Sequence, residues 1–342
     1  MKRVYTIGGL FNIVVESENE NSIVREIEEQ FTFYRITQEV THIVGFISQN
    51  EELQLPHGVC ELVKDLLYED NESLYIMTNG VIKINARKDN FVIEYTSKSS
   101  EEMVFHVMEI LIRFYAPLYD IVFLHASGFI IDNRVTLINA FGGSGKTEVM
   151  LKALLNGAQF IADDLTIVNK NGQVFPYPAL IPLRIHHYDN NLLAKLKISK
   201  YKWMLANYCF KMNGRITRRI FNSLNLKYFV RNLPYIAFTD KKTQFKYYDV
   251  DHFYWVESSD ITSFKEIGKQ NFYDKMVVCL DNESRKYFDC DGFFRYKFPF
   301  FNMYKEKQNE LLQSILDKVN IQGVTIRGRN FDELFNLLFS NN

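Results

Sequence analysis

Over the first hundred residues, apolar positions recur at every second place in short runs, the period of a half-buried strand. Val4-Tyr5-Thr6-Ile7 and Asn12-Ile13-Val14-Val15 flank Gly8-Gly9, which predicts two strands about a glycine bend. Residues 16–29 carry six glutamates around Ile23, Val24 and Ile27, an acidic helix pattern. Thr41-His42-Ile43-Val44-Gly45-Phe46-Ile47 reads as the next strand. Tyr75-Ile76-Met77, Gly80-Val81-Ile82-Lys83-Ile84 and Phe91-Val92-Ile93-Glu94-Tyr95 predict a meander. Residues 1–100 therefore form a small α+β accessory unit that displays no chemistry.

The period changes after Ser97-Lys98-Ser99-Ser100, and the domain boundary is expected there. Residues 101–116 open with two glutamates behind a serine N-cap candidate and place Val104, Val107, Met108, Leu111, Ile112 and Tyr115 at helical spacing before Pro117. Three strand runs follow, at 121–124, 129–131 and 135–138. Beyond residue 245, Phe253-Tyr254-Trp255-Val256 predicts a strand, while residues 271–280, 306–319 and 331–339 predict helices that flank a doubly wound sheet. There is no internal repeat.

A chain of 342 residues exceeds the roughly 250–300 at which a single core stops growing, which agrees with two units. Lys+Arg 40 against Asp+Glu 41 excludes general attraction to polyanions or membranes. No segment holds about 18 uncharged apolar residues, the length a membrane span needs, and the N-terminus lacks the pattern of a secretory signal. Cys60, Cys209, Cys279 and Cys290 have neither disulfide-framework nor zinc spacing. A cytoplasmic protein with reduced thiols is expected.

Candidate chemistry begins at residues 135–147, VTLINAFGGSGKT: an apolar strand, then A-x-x-x-x-G-K-T, then a helix pattern over 148–155. Small residues let backbone N–H groups wrap a phosphate, and the helix N-terminus adds partial positive charge. Ala140, Gly142, Gly143, Ser144, Gly145, Lys146 and Thr147 are the candidate nucleotide contacts. Lys146 would reach the β/γ-phosphates of ATP, and the Thr147 hydroxyl would face Mg²⁺. Ala140 replaces the usual first glycine and is tolerated if its φ stays negative. Sixteen residues past Thr147, an apolar strand ends in Asp163-Asp164. Parallel strand ends share one edge, so the doublet belongs beside the loop, where one acid can hold Mg²⁺ and the other accept a proton. By itself such a doublet also serves as a turn or cap, and His125, before the strand at Gly128, also suits a purely structural place.

Together, His125-Ala126-Ser127-Gly128, the run from Ala140 to Glu148 and Ala162-Asp163-Asp164 resemble the kinase domain of HPr kinase/phosphorylase. Gly328-Arg329-Asn330 and the helix after it are similar to that family's closing segment. The resemblance covers roughly residues 101–342 and implies an α/β P-loop fold of HPr-kinase type, a mixed sheet with flanking helices. It implies Asp163 as proton acceptor, His125 tuning it, Thr147 and Asp164 on Mg²⁺, Lys146 on the phosphates, and Arg329 among the nucleotide contacts. The glycine-rich segment that engages the phosphocarrier protein is missing, so the resemblance points to the branch acting on peptides or small molecules.

In place of that segment stand a proline-rich stretch at 172–182, either a surface loop or a groove wall, and a basic helical insertion at about 190–239. The insertion has ten Lys/Arg and no acid. Solvated faces, the acidic N-terminal unit and an acidic substrate each account for such a run. Arg184, Arg215, Arg218 and Arg219 are the candidate substrate contacts. Its interleaved aromatics also suit single-stranded nucleic acid, a partner that the loop and doublet do not require. The expected activity is an ATP- and Mg²⁺-dependent kinase acting on a hydroxyl of a peptide, protein or small molecule. The alternative is a P-loop switch or regulatory NTPase whose partner sits on the basic segment. No membrane partner is expected, and a homo-oligomer is compatible with both readings.

Overall fold

The computed structural model describes residues 1–37, 40, 42–177, 199, 201, 204, 246–283, 285, 288–328 and 330–339. The candidates Arg184, Arg215, Arg218, Arg219 and Arg329, the basic segment apart from residues 199, 201 and 204, and the stretch 178–182 lie outside them.

The elements run β1 (Lys2–Ile7), β2 (Phe11–Glu16), α1 (Ser22–Phe31), β3 (Arg35–Ile36), β4 (Ile43–Gln49), β5 (Cys60–Val63), β6 (Leu67–Glu69), β7 (Leu74–Met77), β8 (Val81–Ala86), β9 (Phe91–Tyr95) and α2 (Glu101–Tyr115). Next come β10 (Ile121–Leu124), β11 (Ala126–Ile131), β12 (Arg134–Ala140), α3 (Lys146–Leu155), β13 (Gln159–Ala162), β14 (Thr166–Asn169) and β15 (Gln173–Phe175). The chain closes with β16 (Tyr248–Asp249), β17 (His252–Ser259), β18 (Ser263–Lys265), α4 (Lys269–Glu283), α5 (Cys290–Lys297), α6 (Phe301–Leu316), β19 (Ile321–Arg327) and α7 (Phe331–Phe339). The protein is mixed α/β.

Compactness divides it in two, and not at the expected cut near residue 100. The first unit is Met1–His125, Ile167–Phe175 and Gly268–Val319; the second is Ala126–Thr166, Pro176–Ile267 and Asn320–Asn342. The helices expected at 271–280 and 306–319 thus belong with the N-terminal residues, because their apolar faces complete that core: Phe301 stacks on Phe114 at 4.5 Å and meets Tyr115 edge-on. The helix predicted at 101–116 is α2, capped by the Ser100 side chain accepting from the Met103 N–H. The predicted glycine bend joins β1 to β2 with Gly8 and Gly9 at φ 59° and 70°. The unit's main sheet has the order β3-β1-β2-β4-β9-β8-β7-β6-β5, with the predicted meander antiparallel over β7, β8 and β9 and parallel pairings at β2–β4 and β4–β9.

The second unit is built on a six-stranded sheet of order β13-β11-β12-β17-β19-β18. β12, β17 and β19 are parallel. β11 is antiparallel to both β12 and β13, which makes those two parallel to each other across it. The C-terminal ends of β12, β13, β17 and β19 therefore share one edge. The antiparallel β11 begins at that same edge, so its first residues lie between the glycine loop after β12 and the acid doublet after β13. α3 packs on β11 and β12, and α7 packs on α3 and β19. In the described part of the proline-rich stretch, Tyr177 is buried and bridges to Ala162, its N–H donating to the Ile161 carbonyl. Residues 173–177 are thus a strand and a buried edge and not a surface loop.

Candidate functional site

The loop between β12 and α3 has the geometry its residues dictate. Gly143 and Gly145 stand at φ 80° and 90°, a region that costs a side chain about 1–2 kcal/mol. Ala140, the last residue of β12, has no positive φ, so the absence of the usual glycine is harmless there. Gly142 and Gly143 are exposed, and a Cβ at either would meet nothing within 4 Å. α3 begins behind Gly145, an N-cap residue with no side chain to cap it, and a helix N-terminus carries the partial positive charge that suits a phosphate. Lys146 is buried and its ammonium donates to the Ala140 carbonyl at 2.8 Å, reaching back across the loop.

Asp163 stands one residue past β13, 3% exposed. The Thr147 hydroxyl reaches its two carboxylate oxygens at 3.0 and 3.3 Å. The Ser127 hydroxyl donates to Oδ1 at 2.5 Å. The structure thereby joins the half-buried loop threonine, the doublet's first acid and a buried serine at the start of β11 in one hydrogen-bonded cluster. Burial, and then the charge of Asp164, drive the Asp163 carboxyl up from its usual 3.8 to about 7, against the opposing bonds from Ser127 and Thr147 and the charge of Lys146. A carboxylate so placed is matched to proton transfer at neutral pH.

Asp164 is half-buried and adopts φ 63°, while the Leu165 N–H closes a tight turn onto the Asp163 carbonyl at 2.8 Å. Left-handed backbone at a non-glycine residue costs of order 1–3 kcal/mol and concentrates at functional sites. Thr147, expected to work with Asp164 on magnesium, is hydrogen-bonded to Asp163. His125 is buried immediately before β11 and closes the first compact unit.

Hydroxyl and carboxylate oxygens are the hard donors that Mg²⁺ takes. Among the described residues no group of three or more His, Cys, Asp or Glu forms a ready metal cage. The Thr147 hydroxyl and the Asp164 carboxylate are donors of that chemistry, and the described contacts of Thr147 are with Asp163.

Three neighbours of the site have no role in the sequence reading. Ser127 was part of the His-Ala-Ser-Gly run but had no assigned role; the signal was a short polar residue in an otherwise apolar strand. Phe141, 42% exposed on the loop, meets the buried Trp255 edge-on at 5.1 Å, and the Trp255 indole N–H is held by Glu257 at 2.9 Å. Phe331, the first residue of α7, lies over Gly145. Among the described residues no helix is long and apolar enough to cross a membrane. No protein-family model matches the chain, and no curated protein sequence matches it significantly.

Proposed function

We propose that the protein is an ATP- and Mg²⁺-dependent kinase that phosphorylates a hydroxyl of a peptide, protein or small molecule, with the second unit as a P-loop kinase domain of HPr-kinase type acting in the cytosol. The observation that carries this reading is the Ser127–Asp163–Thr147 hydrogen-bonded cluster, its acid buried, with Thr147 in the first turn of the helix that the glycine loop opens. A loop alone binds phosphate; a loop with a carboxylate poised near neutrality can also take a proton from an attacking oxygen.

The acceptor oxygen bonds to the γ-phosphorus of ATP, the bond from that phosphorus to the β-γ bridging oxygen breaks, and the acceptor's proton passes to Asp163. ADP leaves with the bridging oxygen. Lys146 and the N–H groups of the loop and of α3 hold the phosphates and offset their charge. Mg²⁺ held by Thr147 and Asp164 would neutralise charge on the phosphoryl oxygens. Most of the catalysis is positioning, which suits a buried and hydrogen-bonded acid more than a mobile one.

The test is nucleotide binding and phosphate transfer measured on the same variants. Asp163→Asn keeps ATP affinity within about threefold and loses transfer by at least about 100-fold, the usual contribution of a general base. Lys146→Ala weakens both. Undiminished transfer in Asp163→Asn overturns the assignment of the base. ADP release that proceeds equally without any hydroxyl acceptor overturns the kinase reading in favour of a nucleotide switch.

A further inference from the structure

A glycine in the left-handed region keeps its loop in shape only if something prevents the backbone from relaxing, because glycine by itself moves freely between wells. Gly145 is buried at φ 90°, and what covers it is the ring of Phe331: a Cβ built on Gly145 would fall 2.6 Å from both Cδ1 and Cζ of that ring and closer still to Cε1. No other loop glycine is covered in this way; Gly142 and Gly143 meet nothing.

The ring is itself fixed. β19 runs parallel to β17 and so delivers the chain to the loop's edge of the sheet. Gly328 turns it at φ 59°, and the Asn330 side chain accepts from the Glu333 N–H, starting α7 at Phe331. Asp332 pairs with Lys152 of α3, and the Lys152 ammonium sits 5.3 Å from the centre of the Phe335 ring. Phe339 packs edge-on against Phe129 of β11 at 5.6 Å. α7 is therefore bound to the helix that carries Lys146 and Thr147 and to the strand that carries Ser127.

We propose that Phe331 is a positioning residue of the nucleotide site: its ring, anchored through α7, holds Gly145 in the conformation that aims the N–H groups at the start of α3 toward the β- and γ-phosphates. This rests on the nucleotide reading above. Its energetic effect falls chiefly on the β- and γ-phosphates, which the backbone of such a loop and its lysine cradle, and AMP lacks both.

The experiment uses the full chain with Phe331→Ala and Phe331→Leu, each checked for folding by circular dichroism and melting temperature, and compares the affinities of ATP with Mg²⁺ and of AMP. The ATP-to-AMP affinity ratio should fall about tenfold in Phe331→Ala and about threefold in Phe331→Leu, as expected when charge-assisted N–H contacts to phosphate lose their alignment. A loss of stability alone lowers the melting temperature and leaves that ratio where it was. An unchanged ratio in either folded variant, or an equal loss for both ligands, overturns the proposal. Should Phe331→Ala not fold, Phe331→Leu carries the comparison. Failure of the unaltered chain to bind ATP would overturn the kinase reading itself, whereas ATP binding by the unaltered chain with unmoved ratios in the variants overturns only the role of Phe331.

Discussion

Replacing Asp163 with asparagine should stabilise the protein while it abolishes transfer, and the gain should appear only as the pH rises. The folded carboxyl titrates at about 7 and the unfolded one near 3.8. Between those values the folded state holds a proton that the unfolded state has released, so stability falls as pH rises through the window. About three pKa units at about 1.4 kcal/mol each set an upper bound of about 4 kcal/mol on that loss. Above pH 7 both states are ionised and the cost remains in full. The amide of Asp163→Asn carries no charge at any pH. Ser127 and Thr147 can each donate or accept, so the amide stays bonded, though each neutral bond falls short of its charged counterpart by about 1 kcal/mol. The variant should accordingly be about 2–4 kcal/mol more stable at pH 8 and close to the unaltered protein at pH 4. The assay is urea unfolding in buffer free of nucleotide and magnesium, read as the difference between the two proteins so that other titrating groups cancel. Equal or lower stability of Asp163→Asn at pH 8 would refute the argument that burial, opposed by two hydroxyls, dominates this site. On the kinase reading proposed above, such a group costs stability and serves transfer, the trade-off expected of a reacting residue.

Two further perturbations test the scaffold by chemical denaturation. Gly128→Ala, on β11 between β12 and β13, places a methyl 2.9 Å from Leu137 Cδ2 and 3.3 Å from Ile161 Cβ and Cγ2; overpacking there should cost about 1–3 kcal/mol, and a neutral result would mean the two neighbours give way freely. Ser100→Ala removes the cap bonded to the Met103 N–H at 3.3 Å and should cost about 1 kcal/mol, whereas no loss would show that water replaces it.

Much of the site was legible before the fold. Alternation located β1, β2 and the strands of the meander, because a half-buried strand imposes its period on adjacent residues whatever lies across from it. Ser100 and the two glutamates behind it announced α2, since a helix start satisfies its free N–H groups locally. The glycine loop and the strand ending in Asp163-Asp164 were equally legible, the one from its small residues and the other from an apolar run broken by carboxylates. What did not show was the partner of each group. Thr147 was expected beside Asp164 and bonds to Asp163; Ser127 had no role and lies at 2.5 Å from the acid.

The amino-acid sequence by itself located β1, β2, the strands of the meander, α2 and the glycine loop before α3, because periodicity, capping and glycine dihedrals act within a few residues. Only the tertiary structure decided that β11 lies antiparallel between β12 and β13, that residues 268–319 complete the core of the N-terminal unit, and that Phe331 covers Gly145. Those are choices among pairings of distant segments, set by which apolar faces can be buried together. The same choice brings the buried Asp163, its carboxyl driven up to about 7 by burial and the charge of Asp164, into hydrogen bonding with Thr147 behind the glycine loop.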